Sequence, residues 1–74
     1  MEEEKVLEIF AKRIKELRQE KNLTQRDVAN FLKISQPSYI RYELKKGEPS
    51  ITTLVKLARL YQVTVGYLLG VEDY

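Results

Sequence analysis

Four hydroxyl side chains divide this chain. Thr24, Ser35, Ser50 and Thr64 each stand directly before a short run whose inward candidates fall three and four positions apart. A Ser or Thr oxygen can accept a hydrogen bond from an unpaired amide in the first turn of a helix, so each of the four marks a helix start. Caps this close together leave room only for short helices and tight links. The spacing predicts helices over 25–32, 36–44 and 51–61, and a short fifth from 65 that ends at Gly70. Asp27, three residues after Thr24, makes an approximate capping box, and Leu23 and Val28 stand as a hydrophobic staple. Pro37 falls in the first turn of its helix, where a missing N–H is harmless.

Upstream of the first cap, Val6, Phe10, Ile14 and Leu17, with Ile9 beside them, form one apolar stripe on a long helix over roughly 3–21. Glu2, Glu3 and Glu4 lie near its start, where the helix dipole favours anions, and Asn22 can take the left-handed conformation that stops it. The expected core adds Val28, Ala29 and Leu32, then Tyr39 and Tyr42, then Ile51, Leu54, Leu57, Ala58 and Tyr61, then Val65, Leu68 and Leu69. No stretch alternates long enough to suggest a strand, so the fold class is all-α, with five helices in one domain.

Seventy-four residues make a small core with a thin margin, which a partner subunit would help. There is no cysteine and no histidine, hence no disulfide, no cysteine zinc site and no imidazole base. The acidic start is unlike a signal or transit peptide, and no apolar run approaches the ~20 residues of a membrane span. The carboxylates are scattered over helix surfaces and no phosphate-cradling glycine loop is present, so an enzyme is not expected. We expect a cytoplasmic protein that works without metal or cofactor.

The charge is uneven. Residues 1–11 carry one Lys and four Glu, residues 12–46 carry ten basic and four acidic side chains, and residues 47–74 carry two and three. A basic middle between acidic ends suits an anionic partner, although a solvated helix surface reads the same way. Within that middle, a helical wheel for 36–44 puts Tyr39 and Tyr42 on one face with Ser38. Gln36, Pro37, Ile40, Arg41 and Leu44 take the other. Gln and Arg are the side chains that make paired hydrogen bonds to base edges, Gln to adenine and Arg to guanine. A capped short helix that follows another across a tight turn is the helix-turn-helix arrangement, whose second helix enters the major groove.

The run "RIKELRQEKNLTQRDVANFLKISQPSYIRYELKKGEPSITTLVKLARLYQVTVGYLLG", residues 13–70, resembles the Cro/repressor-type (Xre-like) helix-turn-helix family. The matching pieces are "LTQ" at 23–25, Ala29, "ISQ" at 34–36, Glu43, "PS" at 49–50, "LVKLA" at 54–58 and "VTVGYLLG" at 63–70. The resemblance implies a five-helix lambda-repressor-like domain over 13–70, with 1–12 extending helix one and 71–74 a short tail. It also implies a sequence-specific regulator of transcription, a repressor, that binds a palindromic operator in double-stranded DNA as a homodimer. On it, Gln36, Pro37, Ile40 and Arg41 are the base-reading candidates. Gln25, Thr24, Ser38, Lys45, Lys46 and Arg26 are the phosphate candidates, with Gln25 also bracing the next helix. Arg18 and Glu43 occupy the positions of an internal ion pair. Leu60, Tyr67, Val71 and Tyr74 are the dimer-surface candidates, although Leu60 and Tyr67 could equally be core.

The chain departs from that pattern where the family has glycine. Asn22 and Lys33 stand at two such positions and Lys45 at a third, so a strained or altered turn between helices two and three is expected. Phe31 stands where the family is polar; we expect it tucked against the first helix rather than exposed as an anchor. The competing function is a protein-interaction module on the same fold, such as an antitoxin or anti-repressor, since fold alone does not fix function.

Overall fold

The computed structural model describes residues 3–73, with side chains from Lys5 onward. It has five helices: α1 (Glu3–Glu20), α2 (Gln25–Leu32), α3 (Gln36–Glu43), α4 (Ile51–Tyr61) and α5 (Val65–Leu69). No strand occurs among the described residues. Each hydroxyl cap is made: Thr24, Ser35, Ser50 and Thr64 accept from the amides of Asp27, Ser38, Thr53 and Tyr67. At Thr24 the box is reciprocal. The Asp27 carboxylate accepts the Thr24 amide at 2.8 Å, and that bond holds its carboxyl below the usual range. Helix α3 ends one residue earlier than expected, with Leu44 as its cap.

The helices stop by a shared device. Asn22, Lys33, Lys45 and Gln62 all take the left-handed conformation, with φ of 58°, 60°, 65° and 56°. The turn after α2 is the conformation glycine would give, adopted by a lysine. Lys33 donates its amide to Asn30 at 3.1 Å and Ile34 donates to Ala29 at 3.1 Å, so the last carbonyls of α2 are paired. The left-handed form costs a residue with a Cβ about 1–2 kcal/mol, and these bonds offset part of it.

One core holds the helices together. Phe10 and Ile14 of α1, Val28 of α2, Tyr39 of α3, Leu57 of α4 and Leu68 of α5 are all essentially inaccessible. Helix α1 lies against α3 and α5, and α2 lies against α3. Tyr42 is half-buried and meets both Phe10 and Tyr39 edge-to-face, with ring centroids 6.1 Å apart in each pair.

Two core expectations fail. Ile51 is 81% exposed, because nothing covers the first residue of α4 and its buried stripe begins at Leu54. Phe31 is 47% exposed rather than tucked against α1. It sits ~100° round the helix from Leu32, outside the arc that Val28, Ala29 and Leu32 bury. No helix among the described residues is long and apolar enough to cross a membrane. Glu2 and Tyr74 lie outside the described residues.

Candidate nucleic-acid interface

The position of α3 is set by its last residue. The Glu43 carboxylate accepts from side chains on three helices: Arg18 of α1 at 2.7 and 3.1 Å, Gln25 of α2 at 3.1 Å and the Tyr39 hydroxyl of α3 at 2.5 Å. Arg18 also donates to the Leu23 carbonyl at 3.0 Å, tying the link before α2 to the same knot. The side chains of the pair are only 11% and 4% exposed. Burial disfavours the charged Glu43, but the bonds from Arg18, Tyr39 and Gln25 outweigh it and hold its carboxyl below the usual range. The same bond to Glu43 raises Arg18 further. Burial, then the bond to Glu43, pushes the Tyr39 hydroxyl up.

This knot has an electrostatic consequence. Glu43 is the sole acid in α3, and it is turned inward and paired. The outer face of the helix carries no carboxylate of its own. Pro37, Arg41 and Leu44 are exposed on it, Ser38 is exposed where it borders the tyrosine face, and Gln36 and Ile40, which share Glu43's side of the wheel, are half-buried at its edge. Pro37 has no N–H and Ile40 offers only apolar surface, so the polar reach of this face belongs to Gln36, Ser38 and Arg41.

The site candidates fall into two groups. Thr24, Gln25, Arg26 and Gln36 line one open cleft of about 310 Å³ where the starts of α2 and α3 converge. In it the Arg26 Nε donates to the Gln36 Oε1 at 3.4 Å. Gln25 braces α3 as expected, through Glu43, and its amide is thereby turned towards the knot. Ser38 is held by the cap of its own helix, its amide donating to the Ser35 hydroxyl, which in turn donates to the Ser38 hydroxyl at 2.8 Å. At the far end of α3, Arg41 donates to the Lys46 carbonyl at 2.6 Å, while the Lys46 amide donates back to the Arg41 carbonyl at 2.9 Å. Lys45 turns through its left-handed conformation and sets its ammonium 3.9 Å from Glu8 of α1.

The dimer candidates are not brought together as one free patch. Among the described candidates, Leu60 and Tyr67 are half-buried against the core, and Val71, 62% exposed, stands clear. Tyr67 belongs to a clamp that the sequence reading missed. The Arg13 guanidinium lies over its ring, 4.1 Å from the centroid, and donates to the Tyr67 carbonyl and, at 2.9 Å, to the Glu72 carbonyl. Glu72 in turn accepts from the Thr64 hydroxyl and lies where a side chain at Gly66 would be. Arg13 and Tyr67 are 54 residues apart, and nothing local in the sequence signals their meeting.

The comparisons with known proteins agree with this geometry. A helix-turn-helix family model matches residues 14–68. The chain is 38% identical over 65 residues to the uncharacterized HTH-type transcriptional regulator YqaE of Bacillus subtilis, covering 88% of this chain and 56% of that protein. It is 40% identical over 64 residues to the HTH-type transcriptional regulator ImmR of the same organism, covering 86% and 50%. It is 34% identical over 62 residues to the cryptic phage CTXphi transcriptional repressor RstR of Vibrio cholerae, covering 84% and 56%. The chain thus spans about half the length of the curated relatives it matches. No solved structure matches it at comparable significance. With the caps, the α2–α3 turn and the Arg18–Glu43 pair in place, the chain belongs to the Cro/repressor-type helix-turn-helix family.

Proposed function

We propose that this chain is a sequence-specific regulator of transcription that lays α3 in the major groove of double-stranded DNA. The carrying observation is the inward turn of Glu43, which leaves the exposed surface of α3, with Arg41 on it and the half-buried Gln36 and Ile40 at its edge, without an acid. Arg41 reads a guanine, Ile40 contacts a thymine methyl, and Pro37 adds apolar surface. Thr24, Gln25, Arg26, Ser38, Lys45 and Lys46 meet phosphates, which supply most of the affinity. Repression is the favoured outcome, since RstR is named a repressor. A palindromic operator requires a two-fold protein with half-sites about one DNA turn apart, and we assign pairing to the surface at Val71, the exposed one among the described candidates. The protein acts in the cytoplasm and needs no metal or cofactor for binding.

The test is anisotropy of a labelled random duplex across a salt series. Affinity should fall linearly with log salt concentration. Absence of binding at low salt would remove this reading. The remaining one would then be a protein-interaction module, such as an antitoxin or anti-repressor, which the exposed Phe31 and Leu44 favour.

A further inference from the structure

We propose that Arg26 sets the base preference of Gln36 by fixing which end of its amide faces the groove; the proposal rests on the DNA-binding reading above. The residue expected to brace this part of the interface, Gln25, is held on Glu43. Arg26 is the neighbour whose side chain meets Gln36, at 3.4 Å from Nε to Oε1. That distance is long for an N–H···O bond, so the contact is weak, and it closes further when the groove excludes water.

The chemistry of the contact selects one orientation. Arginine carries only donors, whereas a glutamine amide has an acceptor end and a donor end. Arg26 therefore meets Gln36 through Oε1. The flipped amide would set its NH2 against the guanidinium N–H and lose the bond. With Oε1 held on the α2 side, Nε2 and its two hydrogens face the groove. A pure donor matches guanine, whose edge offers two acceptors, N7 and O6. Adenine is best read by an amide with both ends free, accepting from N6 and donating to N7. Arg26 thus shifts Gln36 from adenine towards guanine, a preference that Gln36 alone would not have. Arg26 is exposed and outside the core, so its removal leaves the fold intact.

The test is selection of bound sequences from a random duplex pool by the unaltered chain, Gln36→Ala, Arg26→Ala and the double variant. Gln36→Ala identifies the base pair that Gln36 reads. At that pair the unaltered chain should select guanine over adenine. Arg26→Ala should reduce that preference about fivefold or more and leave the position read by Arg41 unchanged. In the Gln36→Ala background, Arg26→Ala should change no base preference, since coupled residues are not additive. An adenine preference in the unaltered chain would overturn the proposal. So would an Arg26→Ala variant that weakens every sequence by one factor with the preference kept, or that alters nothing. If Gln36→Ala alters no position, the base-reading assignment fails and the inference with it. If only Arg26→Ala is silent, the inference alone falls.

Discussion

Arg41 shows how much of a residue's role its own identity carries. Its type and its place on a capped helix made it a base-reading candidate from the sequence. The bond from its guanidinium to the Lys46 carbonyl could not be read there, because it depends on the path of the chain after α3. One carbonyl uses few of the five donors of a guanidinium, so the group can still fork onto a guanine. Arg41→Ala should lose about 1–3 kcal/mol on the best operator and relax one base position, measured by anisotropy on operator variants. Lys33 makes the complementary point. Its non-glycine identity suggested a strained or altered turn, yet the left-handed turn is kept at φ 60°. Lys33→Gly should remove the Cβ strain and stabilise the domain by about 1 kcal/mol, seen as a higher urea midpoint with an unchanged slope.

At the scale of the element, the caps carry the information. Ser and Thr hydroxyls fixed the four starts to the residue because a cap is a local bond between positions three apart. Burial within an element was less legible. Ile51 and Phe31 both fit an apolar pattern, but whether a helix edge is covered depends on the neighbour across from it. Thr24→Ala should cost about 1 kcal/mol by loss of the capping bond, read from thermal denaturation. It removes only the smaller, side-chain share of what lowers Asp27, because the amide of residue 24 still donates to the carboxylate. Because the folded Asp27 titrates below its unfolded value of ~3.9, its contribution is present above that pH and is lost as pH falls through the folded value. Asp27→Ala, which removes the titrating group, should therefore show a shallower acid limb, while Thr24→Ala keeps most of it.

For the whole molecule, the decisive feature is the knot at Glu43, which joins α1, α2 and α3 through one carboxylate. Arg18→Ala should destabilise the domain by about 3–5 kcal/mol, because it leaves a carboxylate with little access to water and without its cation. Glu43 is depressed in the fold, so its stabilisation is complete above the unfolded value of ~4.3 and disappears as pH falls through the folded one. Urea midpoints between about pH 3 and pH 7 should fall on the acid side for the unaltered chain, and this dependence should flatten in Glu43→Gln. Lys45→Ala and Lys46→Ala should weaken binding to all sequences alike, each reducing the salt slope by about one. Sedimentation at two protein concentrations tests the two-fold assembly, with a mass that rises towards the dimer as the expected result.

Sequence by itself determined the five helices, their starts and the all-α class, because caps, stops and apolar periodicity act within a few residues of one another; the Arg18–Glu43 pair, 25 residues apart, was legible only through the family resemblance. The tertiary structure alone decided that Arg13 reaches Tyr67 and Glu72, that Gln25 is held by Glu43 while Arg26 meets Gln36, and that Ile51 and Phe31 face solvent. Each of these depends on a neighbour brought in by the folded chain, and no local pattern of residues encodes what will stand opposite.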